Sequence, residues 1–257
     1  MPQPFSQFFN SVIDAFAECM KPLIEQDSDA IGKNLINHAF NLDEKQEINR
    51  EFDAYQQFMS KLFYGLAEIV KSRDTLTDVE FYVNRFPFSR TRITPEQYLQ
   101  FHVEVYYSEL YILRERLSKY VTFLERQYLR DSRLPNVKTV FKAINELVTR
   151  TLNGAINVRS AHVHETRFVD DGIDRLSTLG LLMRSKDNKL AEIMTKQYRA
   201  EHRKVKRLWH NRIAKNNQAV VQLLDHVCEA LLAVVFQDDG TMRIPSGVRL
   251  KNNCSSG

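Results

Sequence analysis

The stretch Asn157-Val158-Arg159-Ser160-Ala161-His162-Val163-His164-Glu165 is the densest cluster of potentially catalytic groups in the chain. Four residues separate Arg159 from His164. Such a pair suits RNA cleavage by the RNA's own 2′-hydroxyl. A histidine has the right pKa to take the proton from that hydroxyl. An arginine offers a planar fork of donors to the phosphate oxygens as charge develops on them. No metal is needed. Positions 159 and 164 are about 140° apart around a helix, so they face one cleft only if the helix begins between them. His162, three residues after Arg159, shares its helical face and is a reserve candidate for the base. Ser160 adds a hydroxyl that both donates and accepts. The bland alternative is that Arg159 and His164 bind only each other, Glu165 or a helix end. His162 and His164 would share a face on a strand and could begin a metal site. The surrounding sequence favours helix, however, and offers no third ligand nearby.

The Arg159-to-His164 motif resembles the signature of the HEPN superfamily (higher eukaryotes and prokaryotes nucleotide-binding). That signature is an arginine, four to six residues and a histidine near the start of a late helix. Directly after the arginine the family has Asn, Asp or His, and this chain has Ser160. The resemblance spans roughly residues 95 to 237, with two long helices, the motif, then more helix. It implies a helical bundle and a metal-independent endoribonuclease without a cofactor. It also implies a homodimer whose two motifs sit side by side. Members of this kind include toxins, with an antitoxin protein as partner, and phage-defence effectors. Residues 1–94 carry no such resemblance, and 238–257 read as a loose tail.

A second spacing fits the same pattern, Arg203 to His210 with six residues between. It lies in the most basic part of the chain. Between Lys196 and Lys215 there are eight Lys and Arg against one acid, Glu201, while the whole chain carries only +4. Arg203 and His210 are two turns apart on one face. With Arg199, Lys206 and Arg207 they form a stripe that could guide RNA along its phosphates. The alternative is a solvated face with Tyr198, Leu208 and Trp209 turned inward. Arg85, Arg90 and Arg92 make a smaller basic spot in an expected loop.

Helices must position these groups. Helical spacing of apolar residues predicts helices over 5–23, 43–72, 95–130, 136–153, 170–183 and 188–237, and a shorter one after Asp29. Asp43, Asn136 and Asp170 sit where caps are wanted, and Pro95 suits a first helical position. Asn153-Gly154 reads as a helix end and Asn216-Asn217 as a break in the last helix. Residues 74–94 break the pattern, with a short strand over 79–83. The helix from Pro95 carries eight aromatics, whose spacing reads as core. The expected class is all-α, an up-and-down bundle of long helices.

Composition agrees. Glycine is 8 and proline 7 of 257 residues, about half the usual share, too few for a turn-rich β fold or a glycine-loop nucleotide fold. The chain is 43% hydrophobic and 26% charged, an ordinary globular balance. Three scattered cysteines make neither a disulfide framework nor a zinc site. The apolar runs are short and no signal peptide is evident, so the expectation is a cytoplasmic protein with no membrane partner.

Overall fold

A computed structural model describes residues 3–26, 52–85, 92–164 and 170–248, without the side chains of 155–164. Six helices form among them: α1 (Pro4–Gln26), α2 (Ala54–Val83), α3 (Pro95–Tyr128), α4 (Val137–His164), α5 (Asp171–Leu182) and α6 (Asn188–Val235). The chain is an all-α helical bundle, as its apolar spacing predicts.

α2 and α3 start with the same device. Asp53 Oδ1 accepts from the Gln56 amide at 2.8 Å, and Gln56 Oε1 accepts from the Asp53 amide at 3.0 Å. Thr94 and Gln97 repeat the exchange. Each pair satisfies amides that a helix start leaves open. α2 therefore begins at Ala54, with Phe52 and Asp53 outside it. Residues 43–51, the short helix expected after Asp29 and Arg90 lie outside the described residues.

Three expected breaks are absent. The strand at 79–83 is the last turn of α2. Thr75 and Thr77 are poor helix formers, but their hydroxyls donate to the carbonyls of Lys71 and Arg73, one turn back. Leu76, Val79 and Val83 are buried, a helical spacing that overrides local β preference. α4 runs through Asn153-Gly154 to His164. A helical glycine costs only about 1 kcal/mol against alanine, which a long helix tolerates. α6 passes Asn216-Asn217 unbroken over 48 residues. Asn217 Nδ2 donates to the Leu76 carbonyl and to Glu80 Oε2, and its Oδ1 accepts from the Tyr106 hydroxyl. The amide is spent on cross-helix bonds instead of on ending its own helix.

The chain divides into two compact units, Met1–Ala67 with Tyr120–Ile144 and Asp225–Gly257, and Glu68–Lys119 with Asn145–Leu224. α2, α3, α4 and α6 each contribute to both. In the first unit Phe16 stacks on Phe63 with centroids 4.3 Å apart, and Phe8 meets Phe236 edge-on at 6.0 Å. The segment after α6, read from sequence as loose, is fastened here through its described part. Gly240, at φ +83°, makes a turn that pairs Met242 with Phe236. Arg243 then donates to the carbonyls of Ala233 and Val234 at the end of α6, where a cation is favoured. Its own carbonyl accepts from the Tyr128 hydroxyl at 2.6 Å.

In the second unit α3 runs parallel to α6, with Glu96 beside Tyr198 and Tyr106 beside Asn217. α2 is antiparallel to both: Tyr82 meets His102 and Ser72 meets Arg116 on α3, while Asn84 meets Lys206 and Leu76 meets Asn217 on α6. α5 is antiparallel to α6, with Asp170 near Arg212 and Arg175 near Glu201. By length and composition alone α6 could cross a membrane. Its Val220, Leu223, Leu224, Val227, Leu231 and Val234 are buried in the core, which accounts for the same hydropathy.

Candidate nucleic-acid interface

The basic half of α6 is set by a short, well-capped neighbour. Asp170 accepts from the Gly172 and Ile173 amides, both at 3.0 Å, and so starts α5 as its sequence position suggests. A Cβ on Gly172 would meet Val205 at 3.0 Å, so the first turn of α5 lies close on α6. Val205, Trp209 and Ile213 are buried, which turns the residues between them outward. Leu208 joins the outward set at 44% exposure, contrary to the expectation that it packs inward.

Neighbouring acids sort the cations of this stretch. Asp170 lies 3.7 Å from Arg212, whose guanidinium also covers the Trp209 ring. Glu201 lies 3.6 Å from Arg175 and 3.8 Å from Lys204. Lys196 pairs with Glu192 one turn back. Lys206 Nζ donates to the Asn84 carbonyl at 3.1 Å. Arg199, Arg203 and Arg207 are exposed and have no ion-pair partner among the described residues. His210 is only half-exposed, and its Nδ1 is enclosed without a hydrogen-bond partner among the described residues. Arg203 and His210 thus share a stripe but differ in access.

Beneath the arginines lies a group that spacing does not reveal. Glu96 is buried, and its Oε2 accepts a hydrogen bond from the Tyr198 hydroxyl. His202 stacks on Tyr198 with the rings 3° from parallel. Burial pushes the His202 imidazole below its usual range, the Lys206 charge adds to this, and Glu96 opposes it. The ring therefore stays neutral near pH 7 under a cationic surface.

The motif residues Arg159, Ser160, His162 and His164 lie on the last turns of α4, and their side chains are outside the described residues. They sit at the end of a helix, not at its start as the sequence suggests. With the helix unbroken, positions 159 and 164 keep their separation of about 140°, and positions 159 and 162 remain neighbours. Just before them a cavity of about 210 Å³ opens beside Thr151 and Gly154, bounded by Tyr107 and Asn216. No cluster of three or more metal-ligating side chains occurs among the described residues.

The aromatics of α3 do not all form core. Tyr106, Tyr120 and Tyr128 are buried, but Phe101 is 60% exposed. Phe81 and Tyr82 at the end of α2 are exposed as well. Compared with family models, curated proteins and solved structures, the chain matches none.

Proposed function

We propose that this chain binds RNA on the face of α6 that carries Arg199, Arg203 and Arg207, with Lys206 and His210 at its edge. The observation behind this reading is the sorting of charge. Local acids engage Arg175, Lys204 and Arg212, and leave those three exposed arginines for a polyanion. Guanidinium groups match phosphate geometry, and releasing counterions from RNA drives such binding.

The Arg159-to-His164 motif adds a chemical step to this reading, that of a HEPN-like, metal-independent endoribonuclease acting in the cytoplasm as a toxin or defence effector. His164, or His162 in its place, takes the proton of a 2′-hydroxyl. The freed oxygen bonds to phosphorus, the bond to the 5′-oxygen breaks, and that oxygen leaves with a proton. Arg159 and Ser160 hold the phosphate oxygens. Two protomers supply the motifs, because positions 159 and 164 on one continuous helix diverge.

The test is a mixed RNA pool incubated with the protein in EDTA, wild type against His164→Ala. Cutting that the variant loses by roughly 10²-fold or more, with RNA binding kept, supports the catalytic reading. Salt-sensitive binding without cutting leaves a non-catalytic RNA-binding module. Absence of any binding sinks both.

A further inference from the structure

Phe101, Phe81 and Tyr82 are 60%, 52% and 43% exposed. Single apolar residues on a surface are ordinary. These three are joined. The Phe101 ring meets His102 with centroids 5.3 Å apart, His102 stacks on Tyr82 at 5.2 Å, and Tyr82 meets Phe81 at 5.8 Å. The Arg85 guanidinium lies over Phe81, 4.3 Å from its centroid. One residue before Arg85, the Asn84 carbonyl holds Lys206 of α6. Contact by contact, a row of exposed rings at the ends of α2 and α3 leads to the basic face of α6.

We propose that this row is a stacking platform for single-stranded nucleic acid, with Arg85 and the α6 arginines holding the phosphates. The proposal rests on the RNA-binding reading above and narrows it to unpaired strands. Every base has a π-face, so aromatic rings accept any sequence once the strand is open. In a duplex those faces are already stacked on one another and only the backbone is offered. Cations alone would serve strand and duplex alike, so the rings are what set the preference. Charge selects the occupant, because Arg85 lies over the Phe81 ring and Asn84 joins the row through Lys206 to the helix that carries the exposed arginines. The exposed Asp78, one turn before Tyr82, bounds the row on α2. Burial holds His102 below its usual titration range, so its ring joins the stack uncharged near neutral pH.

The test uses the full chain and fluorescein-labelled RNA and DNA oligonucleotides of roughly 12 nucleotides, plus an RNA duplex. Phe81→Ala and Phe101→Ala remove exposed rings, and circular dichroism checks that each variant keeps its helices. Strand affinity should fall about tenfold per ring while duplex affinity holds, and Phe101→Trp should restore it. Equal effects on RNA and DNA strands assign the platform to single strands at large, and a larger effect on RNA assigns it to strands with 2′-hydroxyls. Wild-type strand affinity in both alanine variants, or an equal loss on the duplex, overturns the platform. If Arg203→Glu weakens binding while the ring variants do not, RNA binding stands and the platform falls. If the wild type binds no nucleic acid, both fall. Loss of self-association in the ring variants, with nucleic-acid binding intact, reassigns the row to a protein contact.

Discussion

Lys206 Nζ donates to the main-chain carbonyl of Asn84 at 3.1 Å, joining the basic face of α6 to the end of α2. That carbonyl follows the last residue of α2, where a helix dipole favours a cation by about 0.3–1 kcal/mol. Lys206 is thus both a member of the basic stripe and a clasp between helices. Among the described residues Arg203 and Arg207 have no such second task, and the two kinds of cation should separate on mutation.

Reversing charge at Arg203 and Arg207 should weaken RNA binding steeply and flatten its salt dependence. Each lost phosphate contact should lower the log–log salt slope by about one. Lys206→Ala should weaken binding less and also lower thermal stability. Anisotropy titrations across a salt series measure the slopes. A slope unchanged in Arg203→Glu/Arg207→Glu would show that this face does not touch phosphate.

Gly65→Ala should destabilise the protein. An alanine Cβ at this position would lie 2.7 Å from the Tyr120 ring, which is itself buried. Elsewhere in a helix the change from glycine to alanine stabilises by roughly 0.5–1 kcal/mol. Overpacking here reverses the sign, with an expected loss of about 1–3 kcal/mol in urea unfolding. A more stable variant would show that the ring has room to move.

Asn217→Leu should cost about 2–3 kcal/mol, because it leaves the Tyr106 hydroxyl and the Leu76 carbonyl without this partner. Tyr106→Phe removes only one of those bonds and should cost less. Urea midpoints of the two variants decide the order. Equal midpoints would mean that the amide's bonds to α2 contribute nothing.

Stability should decline with acid in the range where histidine titrates. His102 and His202 sit below the usual value of 6.5, both chiefly through burial. As pH falls, the unfolded chain takes up these protons before the folded one. Stability is therefore full above about 6.5, and is lost as pH falls through that value toward the depressed folded pKa values. His202→Gln should flatten part of the decline in thermal midpoint between about pH 8 and 5.5. A decline of the same size in that variant would place the effect on other groups.

Some of this was legible along the chain. Pro95 and Asp170 start α3 and α5 where their types predict. The spacing of Val205, Trp209 and Ile213 already implies which way the α6 arginines turn. The last turns of α2 were not legible, because threonine and aromatic residues favour strands until Leu76, Val79 and Val83 find a core. Asn153-Gly154 and Asn216-Asn217 carry end signals that continuous helices override.

By itself the sequence determined the helical class, most helix starts and the concentration of positive charge in α6. Those features depend on neighbours within a turn or two, where helical periodicity and capping act. Only the tertiary structure decided which cations are neutralised and which rings stay in water. Phe101 and Tyr106 are aromatics on the same helix, yet Tyr106 is buried where it meets Asn217 and Phe101 stands exposed. Lys206 meets Asn84 across 122 residues of sequence. Spacing assigns residues to a face, but burial and charge pairing depend on what another part of the chain brings to that face.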